Sequence, residues 1–451
     1  MLISRFCNPN HKYMGLKGFL YTRHTHDDTI HTQCVCVLFQ YYIYWHSHKH
    51  QRLQTQHPEA FMIISGDFNH VTLDSSLAVF HQVVDCPTRN NRAIDLRLQR
   101  LEHQIGIKGT ALSWFKSHFL DRSQFVHVND ESSMHTKVCH GVPQGSVLGP
   151  LLFSLYMLPL RNIIRNHSIN FHCYADDTQL YLSIKPDETN QLTKLQACLK
   201  DIKSWMTYNF LMLNSDKTEV LVIGPKHLRN SLSRDLVTLD GITLASSSTV
   251  KNLGVVFDQD FSFNVHIKQI SRTAFFHLRN IAKIRRIVFQ ADSEKLVHAF
   301  VTSRLDYCNS LLSGCSNKSL RTLQLIQNAA ARVLTGTKIR DHISPILASL
   351  HWLPIKSRIE FKILLLTYKA LHGQAPSYLK ELIVPYYPSR TLRSQNAGFL
   401  VVPIVSKSRL GARAFSYQAP LLWNKLPFWV QEADNTFRSR LKTFLFDRAY
   451  S

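Results

Sequence analysis

The sequence has no regular cysteine framework and no apolar run long enough to cross a bilayer. Its nine cysteines are scattered over 451 residues, a chain far larger than the secreted domains that disulfides stabilise, so we interpret them as reduced thiols. The apolar run from Val35 to Trp45 contains Gln40 and is well short of the roughly 20 residues that a membrane helix needs. The N-terminus also lacks the charged, apolar and small-residue order of a signal peptide. These absences predict a nuclear or cytoplasmic protein, neither secreted nor membrane-spanning.

Acidic residues are scarce relative to basic ones. There are 31 Asp and Glu against 53 Lys and Arg, a formal net charge of +22. Such an excess favours a polyanionic partner, because each neutralised phosphate releases a condensed counterion. A basic soluble protein without such a partner has the same balance, so charge alone leaves the partner open. The 45% hydrophobic and 11% aromatic content is typical of a globular chain, and the length allows two or three domains.

Residues 1–50 are rich in histidine and show no amphipathic period. Cysteine and neutral histidine are the usual ligands of zinc. However, Cys34 and Cys36 are separated by a single residue, and no second pair stands at finger-like spacing. We therefore interpret residues 1–50 as an irregular His-rich leader. Its histidines are His11, His24, His26, His31, His46, His48 and His50.

From residue 97 onward, apolar periodicity predicts alternating helices and strands, and beyond residue 251 it predicts a mainly helical, basic region. A loop with two prolines and three glycines precedes the second predicted helix. The clearest predicted helices cover residues 105–119, 151–165, 188–209, 323–333 and 359–371. The clearest predicted strands cover residues 124–128, 169–174, 179–184 and 220–223, with a further hairpin over 236–244.

Asp176 and Asp177 stand at the tip of the hairpin predicted over residues 169–184. Asp is a preferred turn residue, so an ordinary polar turn is one interpretation. Against it, apolar strands flank the pair on both sides, and carboxylates held near a core need a cation, which a divalent metal supplies. Two-metal phosphoryl transfer requires carboxylates that bridge both ions. The residues alone leave both interpretations open.

Four motifs, in order, resemble those of the reverse transcriptases of LINE-type (non-LTR) retrotransposons. They are His140 to Phe153 with Pro143-Gln144-Gly145, the Tyr174-Ala175-Asp176-Asp177 box, Leu213 to Leu221, and Leu253-Gly254-Val255, which is similar to the hairpin that holds the primer end. The resemblance covers roughly Arg97 to the C-terminus. It implies an RNA-directed DNA polymerase that uses an RNA template, a DNA primer, deoxynucleoside triphosphates and Mg²⁺ (or Mn²⁺). The implied fold is α+β, a right-hand polymerase palm of antiparallel sheet and helices followed by a helical thumb and C-terminal region.

Carried over residue by residue, the resemblance implies that Asp176 and Asp177 are catalytic and hold the metal ions. Lys217 would be catalytic beside the leaving pyrophosphate, where an ammonium stabilises developing charge or donates a proton. A solvated lysine at a strand edge is the alternative. Four residues would lie against the incoming nucleotide and template: Gln144, Gly145, Tyr174 and Ala175.

Residues 51–96 resemble part of the endonuclease/exonuclease/phosphatase domain that precedes the polymerase in many LINE proteins. Ser65-Gly66-Asp67-Phe68-Asn69 is similar to its GDFN motif, in which Asp67 and Asn69 would serve phosphodiester hydrolysis. Asp85 to Arg89 and Ala93 to Leu96 are similar to a later stretch. The other residues of that site are not found in their places. We predict a remnant without endonuclease activity.

The polymerase motifs also have a gap. Family members carry an Asp-containing strand, of the pattern D-L-S-x-A-F-D, before the helix that corresponds to Leu101-Glu102-His103. Here Ile94-Asp95-Leu96 runs almost directly into that helix, and Asp95 lies too close to Leu101 to replace the missing acid. We therefore predict an incomplete palm over residues 97–250, with an unpaired edge where its first strand is missing, a thumb and basic C-terminal region over 251–451, and impaired polymerase activity. The alternatives are a non-catalytic nucleic-acid-binding protein and the product of a decayed element.

Overall fold

A computed structural model describes residues 33–43, 81–85, 98–120, 122–128, 131–137, 146–184, 190–209, 211–230, 235–239, 242–388, 398–405 and 410–451. The fold is mixed helix and antiparallel sheet, in agreement with the predicted α+β class. The strands of the described residues are β1 (Gln33–Ile43), β2 (His81–Asp85), β3 (Ser123–Val128), β4 (Glu131–Ser132), β5 (Thr136–Lys137), β6 (Asn170–Tyr174), β7 (Asp177–Ile184), β8 (Leu211–Leu213), β9 (Glu219–Ile223), β10 (Asp235–Leu239), β11 (Ile242–Ala245), β12 (Thr249–Asn252) and β13 (Val255–Asp258).

The α-helices lie mainly in the second half of the chain. In order they are α1 (Gly109–Phe119), α2 (Gly149–Met157), α3 (Leu160–Asn166), α4 (Asn190–Tyr208), α5 (Lys226–Arg229), α6 (Asn264–Ile284), α7 (Gln290–Val297), α8 (Ser303–Asp306), α9 (Asn317–Thr335), α10 (Ser344–Ser349), α11 (Ile355–Leu371), α12 (Ser377–Lys380), α13 (Phe415–Trp423), α14 (Phe428–Gln431) and α15 (Phe437–Tyr450). The mainly helical region predicted beyond residue 251 is confirmed, apart from the hairpin β12–β13.

β1 lies inside the main sheet, whose strand order is β6–β7–β1–β8, with β9 also paired to β1. It is antiparallel to β7 from the pair Gln33↔Ile184 to the pair Gln40↔Asp177. On its other side, the first part of β1 pairs with β9 and its last residues pair with β8. Three separate stretches of the chain therefore meet on this one strand.

The position of β1 corrects two expectations. Residues 33–43 belong to the stretch expected to be an irregular leader, yet they form a regular strand. The second expectation was an unpaired palm edge, whereas β7, the strand that begins at Asp177, is paired on both sides, with β6 and with β1. The run is rich in β-branched and aromatic residues, which suit a sheet, and unpaired backbone groups on a strand edge favour pairing with any such segment.

Helices α2, α3 and α4 cover one face of this sheet. The buried side chains of α4 recur every three or four residues, at Leu195, Leu199, Ile202 and Met206, as in a helix that packs through one stripe. The helix predicted over residues 151–165 is divided into α2 and α3 at Leu158 and Pro159. Proline lacks the backbone N–H that would continue the ladder of hydrogen bonds.

β9 contributes side chains to both of the two largest hydrophobic cores among the described residues. Val220 and Val222 pack into the core beneath α2–α4, whereas Leu221 and Ile223 pack into the core of the helical region that begins at α6. Side chains alternate across a strand, so a strand buried on both faces serves two layers at once. The main sheet is consequently packed between helices on one side and the C-terminal helical region on the other.

A smaller sheet links β2 to the region that follows it. β2 pairs with β3, from Asp85↔Ser123 to His81↔His127, and β4 and β5 also pair with β3. The strand predicted over residues 124–128 is thereby confirmed. β2 falls within residues 51–96, the predicted endonuclease remnant, which stays a prediction.

Candidate active site

The two adjacent carboxylates stand at a two-residue hairpin turn. Tyr174 and Asp177 form the last pair of β6 and β7, so Ala175 and Asp176 are the turn residues. Ala175 has a φ of 51°, and a positive φ at the first central position is the pattern of type II′ turns, which favour glycine there. The predicted hairpin and its acidic tip are thus confirmed, and the alanine holds a conformation that costs a residue with a Cβ.

Asp176 and Asp177 are both half-buried. The pKa of the Asp177 carboxyl is raised to about 6, first by burial and then by the neighbouring Asp176 carboxylate. Lys217 acts in the opposite direction and lowers it. Negative charge at this turn is therefore held at an energetic cost that a nearby cation reduces.

Lys217 comes from a different part of the chain. It ends a short 3₁₀ turn, Ser215–Lys217, between β8 and β9. Asn214 shapes this turn: its side-chain oxygen accepts a hydrogen bond from the Lys217 backbone N–H at 3.2 Å, and its backbone carbonyl accepts one from the Thr218 hydroxyl at 2.7 Å. The Lys217 side chain is exposed, but its charge reaches Asp177. The structure thus brings together three of the predicted residues.

The metal ions implied by the resemblance find an incomplete set of ligands. Asp176 and Asp177 supply carboxylates, but within the described ranges no group of three or more His, Cys, Asp or Glu side chains is placed to hold a metal ion. β1 is the strand beside Asp177 on the side away from β6, and its residue at the same level is Gln40. The residues that the structure describes therefore do not fit a complete two-metal centre.

A second hairpin stands against the strand that carries Asp177. Asn252 and Val255 pair at the end of β12 and β13, which leaves Leu253 and Gly254 as the turn. The side chain of Asn252 donates a hydrogen bond to the side-chain oxygen of Gln179 at 2.9 Å. The hairpin at Leu253-Gly254-Val255 was predicted from the sequence, whereas its bond to β7 was not.

Three residues near the site were not singled out as functional from the sequence. Gln179 is a polar residue in an otherwise apolar strand, which is a signal that could have been used. For Asn252, the signal in the sequence is its position immediately before the predicted turn at Leu253 and Gly254. Tyr307, whose hydroxyl donates a hydrogen bond to the Leu253 carbonyl at 2.6 Å, gives no local signal, because its partner lies in a different element.

Other predicted site residues lie outside the described residues. They are Gln144 and Gly145, in the predicted loop with two prolines and three glycines, and Asp67 and Asn69, in the predicted endonuclease remnant. Just after that loop, α2 begins at Gly149 with a proline in its first turn, a position at which the missing N–H costs nothing. As for membranes, the helices of the described ranges are either too short or too polar to span one.

Comparison with known proteins gives a consistent result. Residues 27–257, just over half of the chain, match the family model described as reverse transcriptase (RNA-dependent DNA polymerase). The matched range includes β1 as well as both hairpin turns of the site. It also includes residues 51–96.

Similar curated proteins come from Drosophila transposons. The chain is 28% identical over 231 residues to the "Probable RNA-directed DNA polymerase from transposon BS" of Drosophila melanogaster, which covers 49% of this chain and 25% of that protein. It is 25% identical over 269 residues to the corresponding X-element protein, covering 55% and 28%. It is 24% identical over 206 residues to the "RNA-directed DNA polymerase from mobile element jockey" of Drosophila funebris, covering 44% and 22%. The chain spans about a quarter of the length of these relatives.

Proposed function

We propose, since the chain belongs to the reverse transcriptase (RNA-dependent DNA polymerase) family, that it binds an RNA template with a DNA primer and extends the primer only slowly. Its relatives are named as RNA-directed DNA polymerases from transposons or a mobile element. In this proposal residues 97–250 serve as the palm, with β1 as a further strand of its main sheet, and the helical region over residues 251–451 serves as the thumb and C-terminal part. The compartment would be the nucleus or the cytoplasm.

One observation carries the proposal. Asp176 and Asp177 stand side by side on a hairpin turn with Lys217 in electrostatic range. Adjacent half-buried carboxylates raise each other's free energy, and such groups occur where a protein needs concentrated negative charge. Lys217 would offset charge on a phosphate leaving group at the same place.

The incomplete ligand set is the reason for expecting slow extension. Hard divalent cations prefer several oxygen ligands, and a two-metal centre needs carboxylates that bridge both ions. The described residues offer two carboxylates at the turn, fewer ligands than that arrangement requires. Mg²⁺ or Mn²⁺ is accordingly the cofactor the family implies, at a site that would hold it weakly.

Primer extension tests the proposal directly. The purified full chain is incubated with an RNA template, a recessed DNA primer, deoxynucleoside triphosphates and Mg²⁺ or Mn²⁺. We expect slow extension that is lost in the double variant Asp176→Asn, Asp177→Asn, while Asp216→Asn, an exposed acid near Lys217, extends as the wild type does. Extension equal in the double variant and the wild type would show that the turn is not the polymerase centre.

A second candidate function is that of a non-catalytic nucleic-acid-binding protein. The +22 charge and the shortage of carboxylates at the turn favour it. Binding without extension above the double variant would support this candidate, and affinity should then fall steeply with salt because counterions are released. Absence of both binding and extension would contradict both candidates.

A further inference from the structure

We propose that Asn252 and Tyr307 are positioning residues that hold the hairpin β12–β13 over the sheet face that carries Asp177. Through them, the helical C-terminal region becomes part of the site that holds the primer end. The inference rests on the proposed function for the identity of the ligand. The linkage itself is a property of the fold.

The first link joins the hairpin to β7. Gln179 is two residues beyond Asp177, and alternate residues of a strand lie on the same face. Its side-chain oxygen accepts the hydrogen bond from Asn252, and both side chains are buried. The amide nitrogen of Gln179 is buried without a hydrogen-bond partner in the described part of the chain. The bond from Asn252 therefore satisfies the side-chain oxygen of Gln179, which is buried away from water.

The second link is the turn at the end of the hairpin. Leu253 has a φ of 45° and Gly254 a φ of 83°, so both central residues of this two-residue turn are left-handed, as in type I′ turns. Leucine rarely adopts that conformation because its Cβ crowds the following carbonyl. Such a residue keeps its conformation when its surroundings hold it there.

Tyr307 supplies that support. Its hydroxyl donates to the Leu253 carbonyl at 2.6 Å. Its ring covers Gly254, where an added Cβ would stand 3.5 Å from the ring carbon Cε1. One side chain thus contacts both turn residues, with a hydrogen bond to one and ring packing over the other.

The third link fixes Tyr307 to the helical region. It directly follows α8, whose last residue, Asp306, accepts hydrogen bonds from Arg358 at 2.8 and 3.0 Å. Arg358 belongs to α11 and also donates to the Leu353 carbonyl at 2.9 Å. A continuous series of contacts therefore runs from the strand of Asp177, through the turn, to a central helix of the C-terminal core. Such a series is the physical basis for one region to position another.

Amide hydrogen exchange on the full chain tests the linkage. The variant Tyr307→Phe keeps the ring and removes the hydroxyl. Tyr368→Phe is the matched control, because the Tyr368 hydroxyl donates to a backbone carbonyl, that of Asp434, at 2.8 Å within the same helical region. We expect exchange in residues 249–258 to accelerate about fivefold in Tyr307→Phe, the ratio that corresponds to one net hydrogen bond, and to be unchanged in Tyr368→Phe. Unchanged protection in Tyr307→Phe would overturn the proposal.

A binding measurement distinguishes positioning from a merely structural contact. Affinity is measured for an RNA template with a recessed DNA primer and for a blunt RNA–DNA duplex of the same length. We expect Tyr307→Phe to weaken binding of the recessed end about fivefold and to leave the blunt duplex unaffected. Equal loss for both ligands, or loss for neither, would overturn the positioning role. If the wild type binds neither ligand, the proposed function fails, and the exchange measurement still decides whether the linkage exists.

Discussion

Gln40 lies directly opposite Asp177 in the antiparallel pairing of β1 with β7. Residues opposite each other in an antiparallel pair share a face of the sheet and are close neighbours. Position 40 of β1 is therefore level with Asp177 in the sheet.

Replacing Gln40 with aspartate should therefore increase affinity for a divalent cation. We expect Gln40→Asp to bind Mn²⁺ about tenfold more tightly than the wild type, or about 1.4 kcal/mol, as measured by electron paramagnetic resonance of free Mn²⁺. Gln40→Asn is the matched control and should leave the affinity unchanged. Adding Asp177→Asn to Gln40→Asp should remove the gain. An equal affinity in Gln40→Asp and Gln40→Asn would show that position 40 does not contribute to the metal site.

The position of β1 marks the limit of what the sequence could predict. The hairpin around Asp176 could be predicted because both strands and their turn lie within fifteen residues of sequence, and each strand has its own local pattern. The run from Gln33 to Ile43 shows equally good strand composition, but its partners β7 and β9 lie far along the chain. Local periodicity says that a segment suits a sheet and does not say which edge it will pair with.

The contacts around Tyr307, like the pairing of β1, could not be predicted from local sequence patterns. Lys217 could be associated with Asp177 through a motif resemblance, whereas Tyr307 could not. Its bond to the Leu253 carbonyl is a contact between a side chain and a backbone atom, and such contacts leave no pattern in a single sequence. The burial of Gln179 beside Asn252 is likewise decided by how the hairpin packs on the sheet and not by either residue's neighbours in the chain.

Neutralising Asp177 should stabilise the fold. Its pKa is raised to about 6 in the folded chain from an ordinary value of 3.8. The folded state therefore loses stability as pH rises through that interval. At pH 7 the loss of stability caused by ionised Asp177 is fully present. Because the site is partly exposed to solvent, we expect Asp177→Asn to increase the free energy of unfolding by only about 1 kcal/mol. Urea denaturation at pH 7 with EDTA measures this. Asp216→Asn, a nearby exposed acid, should change stability by less than about 0.5 kcal/mol. Destabilisation by Asp177→Asn would contradict the electrostatic account of the turn.

Replacing Ala175 with glycine should also stabilise the chain. Ala175 is exposed and has a positive φ, so the change removes backbone strain without removing buried contacts. We expect the free energy of unfolding to increase by about 0.5–1 kcal/mol. This is the net change, because the greater flexibility of glycine in the unfolded chain offsets part of the relieved strain. The matched control is Ala282→Gly, because Ala282 is an exposed alanine inside α6. This substitution should lower the free energy of unfolding by about 1 kcal/mol. Thermal or urea unfolding of the pair decides the matter, and a loss of stability in both variants would mean that the turn is not left-handed at Ala175.

His266 should make the stability of the helical region depend on pH. It is buried between α6 and the hairpin β12–β13, where its Nδ1 accepts a hydrogen bond from the Val256 backbone N–H at 3.4 Å. Burial lowers the pKa of His266 from 6.5 to about 4. Between these values the unfolded chain binds a proton that the folded chain does not, so stability is complete above about pH 6.5 and declines as pH falls towards 4.

The expected loss over that interval is about 2–3 kcal/mol, since one pKa unit corresponds to about 1.4 kcal/mol. Other groups titrate in the same interval, so the measurement is the difference between the wild type and His266→Gln, in which an amide oxygen can still accept the bond from Val256. Urea unfolding at pH 7 and pH 4.5 should show a larger loss in the wild type than in the variant. An identical dependence on pH in the two proteins would mean that His266 is already protonated in the folded chain.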